Sequence, residues 1–165
     1  MGTGQTVLTI LAMMMLGRMA LAVNQSNAQG GSSVEMAAYR ITATSLGTSI
    51  IEEATGLAYD EKSDTVGISS VSSFTAANKL GPETGEHYPN YDDCDDFNGL
   101  HKVDSLSGSA VFVTDVTVQY VSLTGSTIAV SGTQTYNKLI TVKVSSPFMA
   151  DTLTFQNVFS YWYFR

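Results

Sequence analysis

Apolar residues fill nearly every position of residues 7–23, VLTILAMMMLGRMALAV, where Arg18 is the one charge. As a helix this run would be roughly 25 Å long, close to the hydrocarbon thickness of a bilayer. Apolar side chains fall on every side of such a helix, so lipid or other protein must surround it. A secretory signal peptide is the alternative, but no basic residue precedes the run. We therefore predict a helix that serves a membrane or an assembly.

A polar stretch follows, and the pattern then becomes one-sided. Gly30 and Gly31 predict a flexible helix break, because each glycine costs about 1 kcal/mol relative to alanine in a helix. Ser32 and Glu35 fit a capping box that begins a second helix. Apolar residues then recur every three or four positions up to about Ala58, which predicts a stripe that covers a sheet. The stripe consists of Met36, Tyr39, Ala43, Leu46, Ile50, Ala54 and Leu57.

The rest of the chain changes from acidic loop sequence to strand sequence. Residues 59–108 are rich in turn formers and contain little strand pattern. Beyond them, β-branched and aromatic residues alternate in four runs with short turns between them, which predicts an antiparallel meander. The runs cover residues 109–123, 126–132, 136–146 and 151–164.

These patterns predict an α+β fold with a long N-terminal helix packed on a C-terminal antiparallel meander. We assign residues 1–31 to an apolar assembly or membrane helix that ends in a flexible break and protrudes from the domain. Residues 32–165 form the globular domain, with the amphipathic helix at 32–58, the acidic loop region at 59–108 and the sheet at 109–165.

Charge and motifs narrow the function. The net charge is -7, and the eight Lys and Arg residues are scattered, which argues against nucleic acid because phosphate binding needs a basic patch. Twelve of the fifteen acidic residues lie between positions 52 and 104, so the middle of the chain is an acidic surface. The lone Cys94 excludes an intrachain disulfide. Known catalytic motifs are missing from the sequence, and we predict that the protein is not an enzyme.

Oxygen-bearing side chains concentrate in one short segment. Asp92, Asp93, Asp95, Asp96 and Asn98 offer the ligands that calcium prefers, although their spacing is not that of an EF-hand. The favoured interpretation is a solvated acidic turn that ends at Asn98, with calcium as the alternative and no other cofactor predicted.

Histidines and aromatic residues supply two further candidate sites. His87 and His101 flank the acidic segment, where a transition-metal site is a weaker alternative to plain surface histidines. The last predicted strand carries aromatic residues on both faces, so we weigh core packing against burial by a neighbouring subunit. The aromatic residues concerned are Phe159, Tyr161, Trp162, Tyr163 and Phe164.

Two segments resemble those of known proteins. The start, MGTGQTVLTILAMMM, is similar to the mature N-terminus of type IV pilins that begin with methionine. The run YDDCDDFNG, at residues 91–99, resembles the Asp-rich segment of minor pilins of the mannose-sensitive haemagglutinin type. The order of an apolar helix, an amphipathic helix, an acidic loop and a meander also resembles type IV pilins and pseudopilins. The family usually has glutamate at mature position five, where this chain has Gln5.

The resemblance implies a structural subunit of an extracellular filament on a bacterial surface. Such a subunit is first inserted in the inner membrane as a precursor, interacts with the pilus assembly machinery and then polymerises with identical copies. Assembly positions would be Gln5, Val7, Leu8, Ile10, Leu11, Met14, Leu16, Arg18, Leu21 and Val23. One alternative is a minor or tip pilin, or a type II secretion pseudopilin, that primes assembly. The other is a membrane-anchored binding module that never polymerises.

Overall fold

The computed structural model of the protein describes residues 2–63, 67–106 and 110–164. Within these residues a long helix packs on an antiparallel sheet of five strands, which confirms the α+β class. Two compact units follow one another along the chain, Met1–Tyr39 and Arg40–Arg165, and the predicted boundary after residue 31 falls inside the first. The elements are α1 (Thr3–Gly56), β1 (His101–Leu106), β2 (Ala110–Thr124), β3 (Thr127–Val130), β4 (Asn137–Ser145) and β5 (Leu153–Ser160), with 3₁₀ turns at Glu61–Ser63, Val71–Ser73, Asp95–Phe97 and Tyr161–Phe164.

The predicted helix break at Gly30 and Gly31 is wrong, because α1 passes through both glycines without interruption. A break would leave several amide hydrogens and carbonyls unpaired at each new helix end. That cost outweighs the roughly 1 kcal/mol by which each glycine disfavours the helix. The predicted capping box is wrong for the same reason, since Ser32 lies inside the helix and its hydroxyl donates to the Gln29 carbonyl at 3.0 Å.

The sheet is antiparallel throughout, but its strand order differs from a simple meander. The order is β1-β2-β4-β5, and β3 pairs only with the end of β2. Gly125, at a φ of 61°, lies in the two-residue turn between β2 and β3, where a tight hairpin favours a positive φ. β3 has four residues, all exposed, so it cannot fill an inner position. β4 therefore lies beside β2 instead of β3.

Two further strand predictions are corrected by the structure. The acidic loop region contains a strand, β1, that the sequence pattern did not predict. None of its residues is buried, and an edge strand needs no alternation of apolar residues. The last predicted strand is too long, because the β4–β5 ladder ends where Asn137 pairs with Ser160. Beyond Ser160 the chain turns into the 3₁₀ segment Tyr161–Phe164.

The buried side of α1 lies in the second unit and contacts the sheet. Ala43, Ile50 and Ala54 are buried, which confirms the central part of the predicted stripe. Met36 is exposed, and Leu57 follows the end of the helix, so the stripe is shorter than predicted. The sequence pattern missed Gly47, where a Cβ would lie 2.4 Å from the Phe155 ring of β5. Only glycine allows the helix to approach β5 so closely at this point.

Candidate functional site

The acid-rich segment is anchored to the end of α1 by backbone pairing. Ala58 forms an isolated parallel bridge with Asp93, and the Cys94 amide donates to the Ala58 carbonyl at 2.9 Å. This bridge brings Tyr59 and Asp60 beside the 3₁₀ turn that contains Asp95. The chain therefore folds its acidic residues inward, where water cannot screen their charges.

Lys138 of β4 lies at the centre of these acids. Its Nζ contacts Asp95 Oδ1, donates to the Tyr59 carbonyl at 2.5 Å and lies 3.5 Å from Asp60 Oδ2. The side chains of Lys138 and Asp60 are 0% exposed and that of Asp95 is 1% exposed. The Tyr59 and Tyr120 rings complete the enclosure, with centroids 4.5 and 5.5 Å from Nζ. We call these five residues the lysine cluster.

The strand register places Lys138 at this point. Lys138 pairs with Tyr120 of β2 on one side and with Phe159 of β5 on the other. It also follows the inward alternation of β4, since Lys138, Ile140 and Val142 are all buried. A side chain in this position is directed into the core, and a lysine there requires charged partners.

The aspartates of the segment hold one another through backbone amides. Asp93 Oδ1 accepts from the Asp95 amide at 2.7 Å and from the Asp96 amide at 3.3 Å. Asp96 Oδ2 accepts from the Asp92 and Asp93 amides at 3.2 and 3.4 Å. Asn98 joins the segment to the sheet, because its Oδ1 accepts from the Val118 amide at 3.0 Å. These contacts give the YDDCDDFNG run a structural role.

Burial dominates the titration of the acids. It raises the pKa of Asp95 to about 7 against the opposing effect of Lys138, and it raises the pKa of Asp96 to about 6. Burial lowers the pKa of the Lys138 ammonium, but Asp95, Cys94 and Asp60 outweigh that effect and the net pKa is raised. The pKa of the Cys94 thiol rises to about 12, mainly through burial, so this cysteine stays protonated at neutral pH. One lysine cannot neutralise all the surrounding carboxylates, so burial favours the protonated form of Asp95 and Asp96 more than in an exposed carboxyl group.

The predicted calcium ligands do not converge on one point. One oxygen of each of Asp93, Asp95 and Asn98 is engaged by a backbone amide or by Lys138, and the five predicted ligands are not grouped as one calcium site. The predicted solvated turn is wrong, because Asp93, Asp95 and Asp96 are buried. Asp92 and Asp96 instead approach glutamates from neighbouring loops. Two groups have carboxylate oxygens within 4.8 Å of one another and could hold a metal ion, Glu61 with Glu86 and Asp92, and Glu83 with Glu86 and Asp96. We call these five residues the carboxylate cluster.

Closely spaced carboxyl groups mark the carboxylate cluster. Burial raises the pKa of Glu83 to about 8, with further contributions from Glu86 and Asp96. Asp96 Oδ1 is buried without a hydrogen-bond partner among the described residues. His87 and His101 are both exposed, which confirms the favoured interpretation of surface histidines, and His101 Nδ1 lies 2.7 Å from Asp115 Oδ1. Neither group contains a histidine, so the transition-metal alternative has no support among the described residues. β1 places His101 opposite Asp115 of β2.

The apolar run of α1 has no cover within the described residues. Every described residue of the predicted assembly set is exposed, and Leu8 and Leu16 are 70% and 75% exposed. Arg18 is exposed as well, and no ion pair to it occurs in the described part of the chain. By length and composition alone, α1 could cross a membrane, and none of its most apolar window is buried.

The predicted inter-subunit aromatic residues separate into three groups. Phe159 and Tyr161 are 3% and 5% exposed, so the core-packing alternative is confirmed for them and burial by a neighbouring chain is not. Tyr161 is fixed there because its hydroxyl accepts from the Ile68 amide at 2.8 Å. Trp162 is 56% exposed, and its predicted role stays a prediction. The side chains of Tyr163 and Phe164 lie outside the described residues.

Comparison of the chain with models of protein families, with curated proteins and with solved structures finds no match. The site therefore has to be interpreted from its own geometry.

The sequence analysis missed Lys138, Tyr59, Asp60 and Tyr120 as partners of the acid-rich segment. One signal was available for Lys138. In the run from Lys138 to Val144 every second residue except Lys138 is apolar, so a lysine occupies an inward position of a predicted strand. Nothing comparable marked Asp60, because its place depends on how the end of α1 pairs with the acid-rich segment.

Proposed function

We propose that this protein is a structural subunit of an extracellular filament of the type IV pilin kind, which polymerises through residues 7–23. The observation that carries the proposal is a helical run of apolar side chains that are all exposed. Burial of such a surface yields on the order of 25 cal/mol per Å² of apolar area. This free energy favours insertion of the helix in a membrane before assembly and packing against identical helices in the filament. The resemblance of the N-terminal sequence and of the acid-rich segment to pilins supports the same function.

The charged residues of this unit favour other copies of the helix, rather than lipid, as the surroundings of the apolar run in the assembled state. Arg18 and Glu35 are the only charged side chains in Met1–Tyr39, and both are exposed. A cation surrounded by apolar helices is costly unless a carboxylate or another acceptor meets it. Glu35 of a neighbouring copy is the carboxylate that this unit offers.

The continuous helix fixes the stagger that such a pair requires. Arg18 and Glu35 are 17 positions apart, which corresponds to about 26 Å along a helix. Two parallel helices shifted by that length would bring Arg18 of one copy beside Glu35 of the next. In pilins a glutamate at mature position five is associated with assembly; Gln5 carries no charge here, and the Arg18–Glu35 pair would supply the missing complementarity.

Charge reversal tests this arrangement in cells that produce the full chain. We expect R18E and E35R to reduce the filaments recovered after shearing, because each places like charges side by side in the staggered pair. The double variant R18E/E35R restores the attraction and should restore filaments. Electron microscopy of the sheared material measures both. Failure of the double variant to exceed the single variants would overturn the pairing, and absence of any filament of the wild-type chain would overturn the filament itself.

The two alternatives predict different outcomes of the same preparation. A minor or tip pilin, or a secretion pseudopilin, would occur in few copies per filament, whereas a shaft subunit dominates the protein content. A membrane-anchored module would stay in the membrane fraction with no filament. Quantitative mass spectrometry of sheared filaments and of membranes separates the three. A dominant share in the filaments is what our proposal requires.

We also propose that the carboxylate cluster binds calcium through Glu83, Glu86 and Asp96. Calcium takes carboxylate oxygens and tolerates irregular geometry, which suits side chains from separate loops. Asp96 is fully buried, and its Oδ1 has no hydrogen-bond partner in the part of the chain that the structure describes. This favours the proposal, because a buried carboxylate oxygen needs a hydrogen bond or a cation. In a filament, calcium would fix the loops that carry the acid-rich segment.

A further inference from the structure

We propose that Lys138 and Asp95 form an intramolecular amide bond between Nζ and Cγ, with Asp60 as the proton-transfer group. The bond would join β4 to the 3₁₀ turn of the acid-rich segment. This inference is independent of the filament proposal, because it rests on the lysine cluster alone.

Proximity is the first requirement, and the fold fulfils it. Lys138 Nζ contacts the carboxylate of Asp95, and neither side chain is more than 1% exposed. The register of β4 between β2 and β5 fixes one partner, and the hydrogen bond from the Asp95 amide to Asp93 Oδ1, 2.7 Å long, fixes the other. Groups held in this manner react as if at very high concentration, since the entropy of their encounter is already lost.

Exclusion of water is the second requirement. An ammonium and a carboxylate do not condense, whereas a neutral amine and a carboxylic acid can. Burial favours the neutral forms of both groups, and the side chains of Lys138 and Asp95 are 0% and 1% exposed. The Tyr59 and Tyr120 rings beside Nζ limit access of the water that would reverse the reaction.

A proton acceptor is the third requirement, because the neighbouring carboxylates keep the ammonium of Lys138 protonated. Asp60 Oδ2 lies 3.5 Å from Nζ. The Thr75 amide donates to this oxygen at 2.8 Å and the Tyr120 hydroxyl at 3.4 Å, so the carboxylate cannot turn away. Asp60 is thus placed to remove a proton from Nζ.

The reaction needs no oxidant or other co-reactant. Asp60 takes one proton from the ammonium, and the nitrogen lone pair attacks Cγ of the protonated Asp95. The tetrahedral intermediate loses a second nitrogen proton while its C–OH bond breaks, and the hydroxyl leaves with a proton as water. Ammonium, carboxylic acid and the Asp60 carboxylate become an amide, one water and the Asp60 carboxylic acid. Atoms and charge balance across the three groups.

A buried oxygen without a partner also favours the condensation. Asp95 Oδ2 is buried and has no hydrogen-bond partner among the described residues. An unpaired buried oxygen of this kind is costly. Loss of one Asp95 oxygen as water leaves the amide with a single carbonyl oxygen to satisfy.

Peptide mass spectrometry of the folded full-length chain tests the bond. Digestion should yield a branched peptide that joins the Lys138 and Asp95 segments and is lighter than the two linear peptides by one water. K138M and D95A abolish this product, whereas K143R, on the exposed side of the same strand, keeps it. Recovery of both segments only as linear peptides from folded wild-type protein would overturn the proposal.

Asp60 is tested with D60N, which keeps the shape of the side chain but does not accept the proton. Circular dichroism first establishes that the variant is folded. We then expect the branched peptide to fall at least tenfold relative to wild type after the same incubation. An undiminished yield of the branched peptide from folded D60N would overturn the role of Asp60. Recovery of only linear peptides from both D60N and the wild-type protein would overturn the bond itself.

Discussion

The two ends of helix α1 differ in what covers them. Along residues 7–23 the apolar side chains are exposed, and large residues such as Leu and Met are free to occupy every side. Along the second unit three of the four buried positions of the helix are small, namely Ala43, Gly47 and Ala54, and the fourth is Ile50. A helix that packs on its own sheet must match that sheet closely, whereas a surface for other molecules needs only to be apolar. Substitutions should therefore change folding at one end and assembly at the other.

The largest effect is expected at the centre of the second unit. K138A would leave the buried carboxylates of Asp60 and Asp95 without their cation, which typically costs about 3–5 kcal/mol. K143A changes an exposed lysine of the same strand and should alter stability by less than about 0.5 kcal/mol. Denaturant unfolding measures both. Equal effects of the two variants would contradict the structural role of the lysine cluster.

The close approach of α1 to β5 predicts the next effect. G47V would drive a side chain into the Phe155 ring and should destabilise the second unit by about 1–3 kcal/mol. At Gly30 the surroundings are open, so G30A should gain about 1 kcal/mol of helix propensity instead. Thermal melts followed by circular dichroism compare the two. Opposite signs are the expected result, and a stabilising G47V would refute the tight contact.

Calcium should stabilise the second unit through the carboxylate cluster. At roughly ten times the dissociation constant, a ligand that binds only the folded state adds about 1.4 kcal/mol. E83Q removes a ligand and should abolish the rise in melting temperature that calcium causes. E52Q removes an equal charge from an exposed position outside the cluster and should keep that rise. A chelator that leaves the wild-type melt unchanged after calcium loading would argue against the site.

Acidity should act on the same unit when calcium is chelated. Asp96 titrates near pH 4 in the unfolded chain, whereas burial raises its pKa to about 6 in the fold. The folded state then holds a proton that the unfolded state has lost between these values, so stability falls as pH rises from about 4 to 6. D96N keeps an oxygen acceptor for the Asp92 and Asp93 amides and should flatten this slope. Chemical denaturation across the pH range measures it, and a slope of the opposite sign in wild type would contradict the raised pKa.

The smallest effect on folding is expected in the first unit. R18L removes an exposed charge that forms no ion pair in the described part of the chain, so unfolding of the second unit should be unchanged. Assembly should change, because R18L removes one partner of the proposed staggered pair with Glu35, whereas R18K keeps the charge and should assemble. The ratio of sheared filaments to membrane-bound chain gives the readout. A destabilised second unit in R18L would break the division of roles between the two ends of the helix.

The helix and most of the strands could be predicted from the sequence, because they depend on residues close together along the chain. Periodic apolar positions located α1 and four of the five strands, because helix and strand repeats follow from local geometry. The same local evidence failed at Gly30 and Gly31, where the cost of two new helix ends exceeds the glycine penalty. It also failed for β1, since an edge strand need not alternate.

The contacts of the acid-rich segment could not be predicted from the sequence and follow from the tertiary structure. Its composition is equally suited to calcium, to a solvated turn or to a buried ion cluster. The choice depends on the pairing of Ala58 with Asp93 and on the register that directs Lys138 inward. Both are contacts between residues distant in sequence; the alternation of β4 indicates that Lys138 points inward, but it does not indicate which acids Lys138 meets. The partners of each aspartate, Lys138 for Asp95 and the carboxylate cluster for Asp92 and Asp96, therefore depend on how the segment packs against the sheet.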